Sequence, residues 1–188
     1  YLALMISVGH RTGLFDTMAG LSPSTSAELA EAAGLQERYV REWLGAMVLG
    51  GIVEHDPGRA SFRLPPEHAA SLTRAAGSGN LAMMAQYVAI MGQVEDGIVE
   101  CFRRGGGLPY SAYPRFFAVQ SEDSGLVLDA TLLQKTLPGL PDLERRLEEG
   151  IDVADIGCGQ GHAANLMARA FPASRFVGYD LAPEAIEA

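Results

Sequence analysis

Residues 151–180 constrain this chain more than any other stretch. Ile151-Asp-Val-Ala-Asp-Ile156 reads as a short strand and runs into Gly157-Cys-Gly159-Gln-Gly161. Ala163 to Phe171 has helical spacing, and Pro172 closes it. Arg175-Phe-Val-Gly-Tyr179 reads as a second strand, and Pro183 stands where a helix tolerates proline, in its first turn. Strand, glycine turn, helix, strand is the opening of a doubly wound parallel sheet. The glycines matter because a residue without Cβ lets a ligand reach the main chain and permits positive φ. The N–H groups at the start of the following helix point into the same space.

Upstream, residues 1–75 read as a winged helix-turn-helix. Leu2 to Gly20 is an apolar helical stretch interrupted at Gly9 and Gly13. Thr25 and Glu28 have capping-box spacing, which starts a helix near Ser26, and Gly34 ends it after Ala33. A second helix spans Glu37 to Leu49, with Tyr39, Val40, Trp43, Leu44, Met47 and Val48 on one apolar face. Ile52–His55 and Ser61–Leu64 then read as strands joined by the turn Asp56-Pro-Gly-Arg59. Residues 76–149 read as a helical linker. In it, Asn80 caps a long helix running to Arg104, and helices follow over Gly125–Leu137 and Pro141–Glu149. The third division, residues 150–188, starts a nucleotide-binding domain. The expected fold class is α/β: winged helix, helical linker, first βαβ unit of a Rossmann-like domain.

Composition narrows the function. The 188 residues carry a net charge of −9, which disfavours non-specific binding to polyanions. Residues 1–79 hold six basic and eight acidic side chains, and the helix Glu37–Leu49 balances two arginines against two glutamates. A DNA reader shows a basic footprint. Two cysteines, Cys101 and Cys158, make no disulfide framework and fit a reducing cytoplasm. No apolar run is long enough to span a bilayer. His10, His55 and His68 have no metal-ligand spacing, so no metal is expected.

Spacing sorts the ligands that a glycine turn can take. The dinucleotide fingerprint is G-x-G-x-x-G, and here His162 holds its last glycine position, so an NAD-dependent oxidoreductase fits poorly. The phosphate-loop pattern is absent, since the one lysine is Lys135. Asp180 ends the second strand 19 residues after Gly161, where a carboxylate can accept hydrogen bonds from ribose. A glycine turn with a ribose-reading carboxylate implies a nucleoside ligand without a pyrophosphate.

At these residues the chain resembles class I S-adenosylmethionine-dependent methyltransferases, in particular a bacterial group with an N-terminal winged helix. The run Val153 to Ala188 carries the likeness. The loop Gly105-Gly-Gly-Leu-Pro-Tyr-Ser-Ala-Tyr-Pro114 and the helix Gly34-Leu-Gln-Glu-Arg-Tyr-Val-Arg-Glu-Trp43 are also similar to that group. The resemblance implies that Gly157, Gly159 and Gly161 cradle the methionine end of S-adenosylmethionine and that Asp155 orients it. It implies that Asp180 binds the ribose and that Leu181 packs near adenine. Tyr110 and Tyr113 are substrate candidates, with packing an equal alternative. Cys158 reads as a filler of the turn rather than a nucleophile, and His162 as either a ligand contact or a solvent-facing helix start. The implied activity is methyl transfer to a small organic molecule. The rival is a winged-helix transcriptional regulator that binds DNA. The apolar surfaces of Leu2–Leu14 and Leu81–Phe102 predict a homodimer. The sequence starts without Met and stops within a helical pattern, so it reads as cut at both ends, and the 188 residues alone are expected to be inactive.

Overall fold

The computed structural model describes residues 1–186; Glu187 and Ala188 lie outside the described residues. Two compact units divide the chain, Tyr1–Gly92 and Gln93–Ala188.

The first unit opens with α1 (Leu2–Thr12) and α2 (Leu14–Ala19), separated by Gly13 at φ 72°. Gly13 breaks the helix as expected, but Gly9 does not: it lies inside α1, where it serves packing. A Cβ on Gly9 would stand 2.5 Å from Trp43 Cζ2 and 2.7 Å from Phe15 Cε2. The missing side chain thus lets the edge-to-face pair Phe15–Trp43 press against α1, and the indole Nε1–H donates to the Met5 carbonyl at 2.7 Å.

Helix α3 (Ser26–Ala33) has the full capping box: Thr25 Oγ1 accepts from Glu28 N–H, and the Glu28 carboxylate accepts from Thr25 N–H at 2.8 Å. Helix α4 (Glu37–Leu49) buries Val40, Trp43, Leu44 and Met47. Tyr39, expected on that face, is 72% exposed, because it sits at the edge of the stripe, about 100° round the helix from Val40. Strands β1 (Glu54–Asp56) and β2 (Ser61–Arg63) pair antiparallel with Glu54 opposite Arg63. Asp56 Oδ1 accepts from the N–H groups of Gly58 and Arg59 and closes the wing turn. Helix α5 (Pro66–Leu72) and then α6 (Leu81–Gln93) follow. The core gathers Leu14, Phe15, Met18, Leu29, Val40, Trp43, Leu44 and Met47.

The expected helix from Asn80 to Arg104 is two helices. Asn80 Oδ1 does cap the start, accepting from Met83 N–H at 3.1 Å. The chain then breaks at Val94, and α7 (Glu95–Arg104) begins there with Glu95 and Asp96 in its first turn, where carboxylates complement the helix dipole. Apolar spacing continues across the break, so it does not separate the two helices; the acidic pair Glu95-Asp96 marks the new start.

Helix α8 (Phe116–Thr131) begins nine residues before the expected Gly125, and a π-helical turn over Leu132–Thr136 follows it. Helix α9 (Pro141–Glu149) leads to β3 (Asp152–Ile156), α10 (His162–Ala170), β4 (Arg175–Tyr179) and α11 (Pro183–Ile186). Strands β3 and β4 are parallel, with Asp152 opposite Arg175 and Ile156 opposite Tyr179. One sheet face, through Val153 and Phe176, packs on Leu137, Leu143, Leu147, Met167 and Phe171. The other presents Ile156, 78% exposed, with Val177 and Tyr179. Buried Ser174 ties the strand entrances together: its hydroxyl donates to Leu147 O at 2.7 Å and accepts from Ile151 N–H at 3.0 Å. Among the described residues no helix is long and apolar enough to cross a membrane.

The Gly9 contact generates a prediction. Gly9→Ala forces Trp43 or Phe15 from its place and should destabilise the first unit by about 1–3 kcal/mol, the usual cost of overpacking. Urea unfolding followed by the fluorescence of Trp43, the one tryptophan, measures this; an unchanged midpoint would refute the close-approach role.

Candidate functional site

Parallel pairing of β3 and β4 brings the residues after both strands to the same edge. After Ile156 the chain turns back through three glycines at positive φ: Gly157 at 80°, Gly159 at 55° and Gly161 at 75°. The Tyr179 carbonyl at the end of β4 accepts from Gly157 N–H at 2.7 Å and from Cys158 N–H at 3.1 Å. Asp180 takes the next donor: its Oδ2 accepts from Gly159 N–H at 2.8 Å, and its Oδ1 from Ala182 N–H at 2.9 Å. These backbone bonds, Ala182 first and Gly159 second, hold the Asp180 carboxyl below its usual pKa. Gly161 then caps α10, and its carbonyl accepts from the backbone and side-chain N–H groups of Asn165.

A cleft of about 330 Å³ opens on this turn. Asp155, Gly157, Cys158, Gly159, Gln160, His162 and Ala163 line one side; Phe117, Gln120, Ser121, Ser124 and Leu128 of α8 line the other. A Cβ built on Gly157 or Gly159 would meet no neighbouring atom, so a side chain there would project into open space. The turn therefore leaves its backbone uncovered at Gly157 and Gly159.

Of the sequence-derived candidates, Asp155, Gly157 and Gly159 line the cleft. Gly161 and Asp180 border the turn, and Asp180 reaches it through Gly159. Leu181 is fully exposed beside Asp180. Tyr110 and Tyr113 stand outside the lining, in an aromatic cluster with Phe116 and Phe117. Tyr110 is 5.4 Å from Phe116 and 5.9 Å from Phe117, and Tyr113 is 6.1 Å from Phe116. Cys158 packs its sulfur against Gly178, where a Cβ would come within 2.7 Å. Burial pushes its thiol pKa up, and the Asp155 and Asp180 carboxylates push it the same way, so the sulfur stays protonated and fills space. His162 does not simply face solvent: its Nε2 lies 2.8 Å from Asp129 Oδ1 on α8.

The α8 wall escaped the sequence reading. Its signal was present, since Phe117, Gln120, Ser121, Ser124 and Leu128 recur three and four apart and so share one face. Among the described residues no group of three His, Cys, Asp or Glu side chains is placed to hold a metal.

Asp180 makes the turn sensitive to acid. A carboxyl whose folded pKa is depressed adds stability that is complete above its unfolded pKa of about 3.9 and is lost as pH falls through the folded value. Amide exchange at Gly159 and Ala182 should therefore accelerate, beyond the intrinsic pH effect, as the pH falls below about 4. Asp180→Ala should abolish that acid step; a step that survives in the variant would assign it to another group.

Comparison with known proteins agrees with this architecture. Residues 1–74 match the family model of the Rv2258c-like winged HTH domain. No curated protein matches the chain. Among solved structures, the mitomycin 7-O-methyltransferase MmcR is 19% identical with a TM-score of 0.60, over 99% of this chain and 56% of that one. Human N-acetylserotonin methyltransferase, solved with SAM, is 17% identical with a TM-score of 0.58, over 98% and 56%. The O-methyltransferase NcsB1 from neocarzinostatin biosynthesis, solved with SAM and 2-hydroxy-5-methyl naphthoic acid, is 19% identical with a TM-score of 0.56, over 95% and 56%. The chain spans a little over half the length of these structures. At such identities the likeness is one of fold. Residues 1–74 thus match a winged helix-turn-helix domain of the Rv2258c-like type, and the chain as a whole is similar in fold to these methyltransferases.

Proposed function

We propose that this chain binds S-adenosylmethionine at the glycine turn and serves methyl transfer to a small organic molecule. The observation that carries the reading is the cradle itself: Gly157 and Gly159 line a cleft with Asp155 and carry no Cβ, and Asp180 holds the same turn through Gly159 N–H. When bound, S-adenosylmethionine supplies a methyl group on a sulfonium centre, which passes to a nucleophile. Asp155 lines the cleft and suits the cationic methionine end. Asp180 spends one acceptor site of each oxygen on the backbone, and the remaining lone pairs suit ribose hydroxyls. Leu181, exposed next to it, offers an apolar surface to adenine. The chain's own part in the chemistry is position, which contributes up to about 7–11 kcal/mol in favourable cases.

The division of labour in this reading is a winged-helix dimerisation and substrate-cap domain over 1–75, a helical linker over 76–149 and the cofactor-binding segment from 150. Tyr110, tilted against Phe116 and Phe117, and Tyr113, tilted against Phe116, are the proposed acceptor contacts. Homodimerisation is supported by Leu81, Met84, Val88 and Met91, an exposed apolar stripe spaced three and four apart along α6. Two free cysteines suit a cytoplasmic protein.

The DNA-binding alternative is tested by the same preparation. In the intact gene product, calorimetry should detect S-adenosylhomocysteine binding. Gly159→Val should abolish it, and Asp180→Ala should weaken it about tenfold or more. Unchanged affinity in both variants would remove the assignment, and salt-sensitive gel shifts without nucleoside binding would favour the regulator. Light scattering should return a dimer that Val88→Asp converts to monomer; a monomeric parent would end the dimer reading.

A further inference from the structure

The two walls of the cleft come from distant parts of the chain, and a polar pair joins them. His162 is the first residue of α10, directly after Gly161. Its Nε2 meets Asp129 Oδ1 at 2.8 Å, across 33 residues of sequence. Asp129 follows Leu128, which lines the cleft. The imidazole also lies over Gly125 of α8: a Cβ there would already touch Cε1 and Nε2 at 3.7 Å. Glycine is a poor residue for the middle of a 16-residue helix. Here it gives the ring a flat seat one turn before Asp129, so shape and hydrogen bond fix the same side chain.

The pair is half exposed, with side-chain exposures of 40% for His162 and 57% for Asp129. Such a pair adds little to global stability. Its effect is local, because α8 carries the whole far wall of the cleft. We propose that His162 and Asp129 are positioning residues, a clasp that holds α8 at the spacing from the glycine turn that the nucleoside ligand requires. The clasp rests on the reading of the cleft as an S-adenosylmethionine site. Nε2–H donates in the neutral imidazole as well as in the imidazolium, so the clasp holds in either charge state. Without it, the ligand-competent spacing is only a fraction of the ensemble, and apparent affinity falls by that fraction.

The test uses the intact gene product, with S-adenosylhomocysteine as the probe in calorimetry and amide exchange of residues 117–128 without ligand. Asp129→Leu and His162→Phe should each weaken binding about five- to tenfold, and the double variant no further, because both remove one interaction. Asp129→Asn keeps an acceptor for Nε2–H and should restore affinity to within about twofold. Exchange in 117–128 should quicken in the Leu and Phe variants and return in the Asn variant, with thermal midpoints unmoved. Parental affinity in both single variants, additive losses in the double, or an Asn variant as weak as the Leu variant would each overturn the clasp. A parent that fails to bind S-adenosylhomocysteine would instead defeat the cofactor reading. The clasp would then stand or fall on exchange alone, and unchanged exchange in Asp129→Leu and His162→Phe would overturn it.

Discussion

The carboxylate of Asp180 holds the glycine turn in shape. Three reversals at positive φ leave the N–H groups of the turn without sheet partners, and an unpaired donor costs more than a hydrogen bond gains. The β4 end supplies three of the acceptors, the Tyr179 carbonyl for Gly157 and Cys158 and Asp180 for Gly159, while Gly161 N–H turns back to the Cys158 carbonyl. The same carboxylate fixes Ala182, whose residue is buried and starts the path into α11. One acidic residue therefore couples the end of the second strand to the loop after the first. The cleft exists because this coupling leaves the opposite side of the turn bare. A residue first suspected of ligand contact has a structural duty that precedes it, and the two are compatible because each carboxylate oxygen carries two acceptor sites.

The sheet shows why this coupling has to be so local. Val153 and Phe176 face a core built from α9, α10 and the segment after α8, whereas Ile156, Val177 and Tyr179 face outward. Packing thus fixes one face of each strand and reaches the turn only through Cys158 on Gly178. Asp152 and Arg175 pair across the strand starts, with Arg175 Nε donating at 2.7 Å, and Ser174 bridges the same end. At the strand ends the bonds to Tyr179 and Asp180 take over. The strands are laced at both termini by polar contacts and cemented on one face between them.

Legibility in the sequence followed the range of the deciding interaction. Thr25–Glu28, Asn80–Met83 and Pro141 act within one helical turn, and each marked a boundary that the structure keeps. The turn from Asp155 to Gly161 and the carboxylate at 180 were legible because glycine spacing and strand ends are local patterns. The start of α8 was not. Phe116-Phe117-Ala-Val119 opens it without a side-chain cap, and Arg115 enters at φ 58°. Gly125, which looked like a boundary, is interior because His162 covers it. Gly9 misled in the same way, since its reason is Trp43, 34 positions further along the chain. The α8 wall, the clasp and the Tyr39 exposure all depend on what packs from elsewhere, and composition within a window does not record that.

Charge decides how the winged domain is read, since a winged helix by shape alone suits DNA. Binding there requires arginines free to displace counterions from phosphates. In this domain Arg41 lies 3.7 Å from Glu37 on α4, Arg63 is bonded through Nε to Glu54 across the wing, and Arg59 stands 4.0 Å from Asp56 in the wing turn. Each of these cations sits beside a carboxylate of its own element or hairpin, which a phosphate would have to displace or approach against repulsion. The exposed surface of α4 carries Arg38, Arg41 and Glu42 together with Tyr39 and Leu49, so its charge is mixed rather than basic. Mixed charge with exposed apolar residues lacks the basic footprint of a DNA reader. That is why the winged fold, matched over residues 1–74, weighs no more toward DNA than toward a methyltransferase accessory domain.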